Sequence, residues 1–259
     1  MSDGKVSIIV PAYKAEEWVD ECLKSIYAQT YKDTELVYVA DTLGIGAAAA
    51  RNKGLAGATG DYVTFCDADD FMAPDAVERM VAAMDGVDMV VGSFRKFGTF
   101  EETITHPNAL LTDADVADYV MVNLKSPRHN QMLSGCWAKL YRMDKVNDFP
   151  ALTTAEDMAF NFTYLLKCDR VRFLSDVVYS NRKRPGSLST TFKEDDKPGL
   201  FGFLPALEYV RKFLHYHHEK DDVAEAIANC TVYHSALYFM RICQQTGWPM
   251  REALMRLFP

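Results

Sequence analysis

No run of roughly 18 apolar residues occurs anywhere in the chain, so nothing in it reads as a membrane span. Basic charge is in deficit. The 28 Lys and Arg stand against 36 Asp and Glu, a net charge of −8, which argues against a general nucleic-acid binder with its basic face. Paired cysteines are missing too. The six cysteines (22, 66, 136, 168, 230 and 243) lie far apart with no Cys-x-x-Cys. They read as reduced, mostly buried thiols of a cytosolic protein, not as a disulfide frame or a zinc site. No Gly-x-Gly-x-x-Gly follows the first β-rich run, which sets a dinucleotide oxidoreductase aside. That run ends in Pro11-Ala-Tyr-Lys-Ala15, without the glycine-rich triphosphate loop that a nucleotidyltransferase needs. The residues before it are few and polar, so no signal peptide is expected. No internal repeat or low-complexity run is present.

What remains is an ordinary globular composition, 259 residues with 49% hydrophobic and 25% charged. Residues 6–10 form a β-rich run closed by Pro11, which predicts that the strand ends there. Trp18, Val19, Cys22, Leu23, Ile26 and Tyr27 recur at helical spacing. Residues 35–40 read as a second strand ending at Asp41, and a Gly/Ala-rich stretch leads to Arg51. Further strands are expected at 62–66, 88–94, 170–174 and 177–181. Helices are expected at 74–84, from the Thr112-x-x-Asp115 cap to about 124, and from a Thr153-x-x-Glu156 capping box to about 168. Residues 182–189 read as a basic loop. Strand alternating with helix indicates an α/β fold, a mainly parallel sheet with helices on both faces. From about 199 the β signal vanishes, and amphipathic helices at 202–219 and 222–246 predict a helical C-terminal subdomain (199–259) after a sheet domain (1–198).

The densest chemistry lies at Asp61-Tyr-Val-Thr-Phe-Cys-Asp-Ala-Asp-Asp70. Five β-formers deliver three carboxylates to the carboxyl edge of the sheet, where open α/β folds bind their ligands. Acids this close repel unless a cation or solvent relieves them, and carboxylates hold Mg²⁺ or Mn²⁺ chiefly together with substrate phosphates. A plain strand, acidic turn and helix start, with Pro74 and Glu78 in the first turn, explains the same residues. Asp70 fits either a supporting role or a helix cap.

Read together, Val6-Ser-Ile-Ile-Val-Pro-Ala-Tyr13, Ala50-Arg-Asn-Lys-Gly-Leu55, the 58–70 stretch, Trp137-Ala-Lys-Leu-Tyr141, Ala155-Glu-Asp157 and Tyr179-x-x-Arg182 with Pro185-Gly-Ser-Leu-Ser189 resemble the family 2 inverting glycosyltransferases of GT-A fold, of the bacterial surface-polysaccharide type. The six segments occur in the family's order over residues 5–190. The resemblance implies that Pro11, Ala12, Tyr13 and Asp41 receive the nucleotide base, and that Arg51 faces the base or the diphosphate. Asp67 and Ala68 would meet the ribose side. Asp69, with Asp67, would hold Mn²⁺ or Mg²⁺, and Arg182 and Ser187 would close over the diphosphate. Asp157 would be the general base. Glu156, Trp137 and Lys139 would face the acceptor. Glu156 also fits a helix cap, Trp137 a core position, and Arg51 a surface helix.

The activity so implied is metal-dependent, inverting transfer of a sugar from a nucleotide-sugar donor, UDP-linked, to a hydroxyl of a glycan or lipid-linked acceptor. It would take place in the cytoplasm or at the inner face of the membrane, with membrane contact or oligomerisation through the C-terminal helices. A non-catalytic sugar-nucleotide-binding or scaffold subunit is the alternative. One departure feeds it: only residues 42–49 separate Asp41 from Ala50, where the family has a helix and a strand, so either a strand beside the nucleotide is lost or a segment is missing from the chain. His215, His217 and His218 are not expected to bind metal.

Overall fold

The computed structural model describes residues 4–125, 135–152, 155–184 and 204–252. The chain opens with strand β1 (Val6–Ala12), helix α1 (Val19–Tyr27), β2 (Thr34–Ala40) and α2 (Ala47–Gly57). There follow β3 (Tyr62–Phe65), the short β4 (Phe71–Met72) and α3 (Ala76–Ala82). Next come β5 (Met89–Gly98), β6 (Glu102–Ile104), β7 (Ala109–Thr112) and α4 (Asp113–Lys125). The remainder holds β8 (Lys139–Arg142), α5 (Glu156–Leu165), β9 (Arg170–Lys183), α6 (Leu204–Leu214) and α7 (Lys220–Thr246).

The strands form one sheet in the order β2-β1-β3-β8-β5-β9-β4, with β6 on β5 and β7 on β9. β2, β1 and β3 are parallel, as are β5 and β9. β8 runs antiparallel between β3 and β5, so the sheet is mixed beyond its parallel first half. The α/β class and the helices on both faces are as the sequence predicts. Period-two alternation sorts the core. Ile8 and Val10 turn toward Cys22 and Ile26 of α1 and Val77 and Met80 of α3. Ile9, Val63 and Phe65 turn toward α2, α4 and α5. Residues of α6 and α7 (Leu207, Val210, Phe213, Val223) join this second cluster, so the helical C-terminal part shares its apolar core with the sheet.

Two expectations change. β1 does not stop at Pro11 but runs to Ala12, with Pro11 paired to Val39 of β2. The amide of Cys66 donates to the Ile9 carbonyl, and that of Asp41 to Ala12. Odd residues of β1 therefore face β3 and even ones face β2. Since the β3 ladder ends at Ile9 and Phe65, the absent Pro11 N–H falls where no strand asks for it. β9 is likewise one strand and not two. The break expected at 175–176 is a bulge, where Gly92 pairs with Leu174 and Ser93 with Val177. β9 thereby reaches Lys183, into the residues expected to start a loop.

The Thr112 cap forms as predicted: Asp115 N–H donates to Thr112 Oγ1 at 3.2 Å, and Thr112 N–H to Asp115 Oδ2 at 2.9 Å. Gly54 explains how α2 lies so close to the sheet, since a Cβ there would stand 2.4 Å from Ile9 Cγ2. Among the described residues no helix is long and apolar enough to cross a membrane.

Phe65, fully buried, meets Tyr141, Phe149 and Phe160 edge-on with centroids 5.2–6.0 Å apart. Phe65→Ala should cost about 3–5 kcal/mol, read as a lower urea midpoint with unchanged slope.

Candidate active site at the carboxyl edge of the sheet

β3 ends at Phe65, and the chain turns at once through Asp67, Ala68, Asp69 and Asp70, closed by Asp70 N–H to the Asp67 carbonyl at 2.9 Å. The last acid faces inward. Asp70 is 1% exposed and accepts from Tyr179 Oη at 2.7 Å, Asn181 Nδ2 at 2.8 Å and Arg182 N–H at 2.6 Å. Tyr179 Oη also accepts the Asp67 N–H at 3.0 Å, and Arg182 Nε donates to the Asp69 carbonyl at 2.8 Å. Thus β9 braces the turn from below. Burial, then Asp67 and Asp69, push the Asp70 carboxyl upward. The helix-cap reading of Asp70 is set aside, because its bonds run to β9 and not to α3.

The second acidic pair opens α5. Ala155 stands at its N-cap in the left-handed region (φ 59°) with no side-chain cap. Glu156 and Asp157 are therefore the first two helical residues. This corrects the capping-box reading, in which Glu156 sat one turn in; Thr153 lies outside the described residues. Among the described residues, three non-glycine residues have positive φ, Lys14, Ala138 and Ala155. Each adjoins a residue singled out from sequence (Tyr13, Trp137, Glu156), as expected where strain serves a site.

Arg51 joins the two acidic segments. Its guanidinium donates to Asp67 Oδ1 at 3.0 Å, Glu156 Oε1 at 2.9 Å and Asp157 Oδ1 at 2.7 Å. At 4% exposed it is no surface arginine. Burial works against its charge, but Asp157, Asp67 and Glu156 outweigh that and keep its pKa above the ordinary value. Asp157 is pushed up to about 7 by burial, with Arg51 opposing and Glu156 adding. Asp67 is also raised, by burial first, with Arg51 again opposing.

Beyond the end of β1 lies a cavity of about 300 Å³ lined by Ala12, Tyr13, Tyr38, Asp41 and Thr42 among others. Asp41 Oδ1 accepts the N–H groups of Leu43, Gly44 and Ile45 at 2.7–3.1 Å. The short connection is thus a tight carboxylate-capped turn leading straight into α2. Gly44 takes φ 72° beneath the Tyr13 ring, with no room for a relaxed side chain.

Lys139 does not face an acceptor. It is 1% exposed, and its Nζ donates to the carbonyls of Gly135 at 2.6 Å and Trp137 at 3.2 Å. Burial drives its pKa down to about 8, and it supports the backbone beside Trp137. Trp137 is half-buried, stacked on Tyr179 at 5.0 Å and edge-on to Phe94 at 4.6 Å. Arg182 pairs with Glu21 and covers Phe97, and Arg184 binds Asp69 and covers Trp18. Ser187 lies outside the described residues. His217 and His218 pair with Asp113 and Asp118 of α4 at 3.7 and 3.4 Å, away from these acids. Sequence reasoning gave Tyr179 and Asn181 no role. Their i, i+2 spacing in a strand puts both on one face, which was the available signal.

Among the described residues, no three acid, His or Cys side chains converge to hold a metal unaided. Asp67 and Asp69 each commit one oxygen to an arginine and keep the other. Two hard carboxylate oxygens fit a six-coordinate Mg²⁺ or Mn²⁺ that takes its remaining ligands from a diphosphate and water.

Comparison with known proteins places these residues in context. The family described as Glycosyl transferase family 2 matches residues 7–42 and 44–145. Glycosyltransferase GlyA of Streptococcus pneumoniae is 31% identical over 227 residues, 74% of this chain and 32% of its own. The chain thus spans about a third of that relative. TarS 1–349 of S. aureus in complex with UDP-GlcNAc superposes with TM-score 0.67 at 20% identity, over 93% of this chain and 75% of that one. The mannosyltransferase PcManGT of Pyrobaculum calidifontis, in complex with GDP-Man and Mn²⁺, gives 0.54 at 18% identity, over 99% and 86%.

Arg51→Met would leave buried carboxylates without their cation, a loss of about 3–5 kcal/mol. Asp67 and Asp157 already stand above the ordinary carboxylate value when folded. The stability tied to Asp157 protonation is present at about pH 4 and lost as pH rises through about 7, and that tied to Asp67 changes in the same direction. Thermal melts from pH 4 to 8 should therefore show the variant's deficit small in acid and largest above pH 7.

Proposed function

The chain belongs to glycosyl transferase family 2, and on that premise we propose that it is a metal-dependent inverting glycosyltransferase. It moves one sugar from a UDP-sugar to a hydroxyl of a glycan or lipid-linked acceptor in surface-polysaccharide synthesis. The observation that carries this reading is the Arg51 junction, which holds Asp67 and Asp157, acids 90 residues apart in sequence, within reach of one guanidinium.

In this reading the base of the donor enters the cavity beside Tyr13, with Pro11 and Ala12 as its floor. Asp41 offers it the carboxylate oxygen not used by the turn. Asp67 and Ala68 meet the ribose, and Asp69, with Asp67, holds the metal. When bound, the metal offsets the charge that gathers on the departing diphosphate. Arg51 and Arg182 add positive charge beside the phosphates. Trp137 walls the acceptor side and Glu156 orients the acceptor. The acceptor oxygen attacks the anomeric carbon opposite the diphosphate. As the new bond forms and the bond to phosphate breaks, the hydroxyl proton passes to Asp157. No covalent enzyme intermediate is needed. A carboxylate raised to about 7 is a better proton acceptor than an ordinary aspartate; burial raises it, and Arg51, which opposes the rise, keeps it ionisable.

The acceptor's lipid would place the enzyme at the inner membrane face, with α6 and α7 as the contacting or oligomerising part; Tyr216, Val232, Met240 and Met250 are exposed there. One observation favours the scaffold reading: Asp41 Oδ1 is committed to three amides of the shortened turn.

Calorimetric titration should give UDP binding that requires Mn²⁺, exceeds GDP binding, and is lost in Asp69→Ala. Stronger GDP binding would overturn the donor, and no binding of either would leave the scaffold. With donor and acceptor in hand, Asp157→Asn should lower kcat about 10²–10⁴-fold with UDP affinity retained. The wild-type rate should climb with pH up to about 7 and then level, because only the ionised base accepts the proton.

A further inference from the structure

The acidic turn carries three carboxylates, and the fold answers each differently. Asp70 is buried under three donors. Asp67 takes Arg51. Asp69 takes Arg184, whose Nε stands 3.0 Å from its Oδ2. The Arg184 guanidinium carbon lies over the Trp18 ring, 4.0 Å from its centroid. Both members of the pair are about a quarter exposed, 27% for Arg184 and 24% for Asp69.

Arg182, two residues earlier and still within β9, behaves otherwise. It grips the Asp69 carbonyl and pairs with Glu21, so it fixes the main chain and leaves the carboxylate alone. Arg184 alone among the described residues sits on the carboxylate itself. A guanidinium and a divalent cation repel at carboxylate range, so the two compete for Asp69.

We propose that Arg184 is the exchangeable counter-cation of Asp69. It neutralises the acid in the empty site, yields it to the metal, and swings from its seat on Trp18 onto the diphosphate that arrives with the metal. Metal entry and donor capture are thereby one exchange of charge partners. This rests on the reading of Asp69 as a metal ligand.

The test is Mn²⁺ binding by electron paramagnetic resonance of the free ion, first alone and then with UDP. Arg184→Gln should bind Mn²⁺ alone about two- to fivefold more tightly, the scale of a partly exposed ion pair. At saturating Mn²⁺ it should bind UDP about tenfold more weakly, the scale of one charge-assisted hydrogen bond. Opposite signs are the signature. Lys183→Gln removes the same charge from the neighbouring residue and should gain less for Mn²⁺. Trp18→Leu keeps every charge, unseats the guanidinium, and should fall between wild type and Arg184→Gln. An Arg184→Gln protein with unchanged or weaker Mn²⁺ affinity overturns the exchange. So does an equal gain in Lys183→Gln, which would make the effect one of general field. In both cases Mn²⁺-dependent UDP binding by wild type leaves the donor site standing. A wild type that takes no Mn²⁺ with UDP overturns both readings.

Discussion

A buried guanidinium can be kept only where carboxylates surround it, and Arg51 sets that condition for the whole carboxyl edge. Its partners come from the turn after β3 and the first residues of α5. Asp67 sits on a tight turn, and Glu156 and Asp157 sit at an uncapped helix start behind a left-handed alanine. Desolvation penalises every one of these charges, and mutual pairing offsets the penalty. The pairing therefore acts as a registration device. α2 must lie where the guanidinium reaches both acids, and the small residues of α2, ending in Gly54 against Ile9, allow that approach.

The opposite side of the same turn is held by β9. Because β9 pairs parallel to β5 and antiparallel to β4, it passes directly under the 67–70 turn. Tyr179 and Asn181 then point up at Asp70. Tyr179 links a backbone amide at one end of the turn with a carboxylate at the other, and Trp137 stacks on its ring. Trp137 and the 67–70 turn are thus supported by one aromatic stack. A shift in either moves the other.

The parallel first half of the sheet, the acidic turn and the second acidic pair were legible in the sequence because each rests on local pattern. β-formers, a Gly/Ala-rich helix start and runs of acids announce themselves over a few residues. What stayed hidden depends on partners far apart in the chain. Lys139 read as facing the acceptor and lies buried beside Trp137, since nothing local says that Gly135 and Trp137 turn their carbonyls inward. Pro11 read as a strand end, although the strand beside it stops first. That is a property of β3 and not of β1. Arg51 fitted a helix surface as well as a site until three acids from elsewhere enclosed it.

The connection from β2 to α2 shows how few residues can border a pocket. A strand end needs its next amides satisfied, and here Asp41 satisfies those of Leu43, Gly44 and Ile45 with one oxygen while Gly44 supplies the left-handed turn. A longer connection would cover β2, whose outer edge has no partner strand among the described residues. The short one leaves that edge bare but still brings Tyr13, Tyr38 and Asp41 around one cavity. It also starts α2 at the point from which Arg51, one turn in, reaches the acids. A residue deleted inside the first turn of α2, between Ala47 and Ala50, would set Arg51 about 100° from its present direction relative to the helix start and carry it off its partners. The start of α2 is therefore tied to the guanidinium it delivers as well as to the cavity the turn borders.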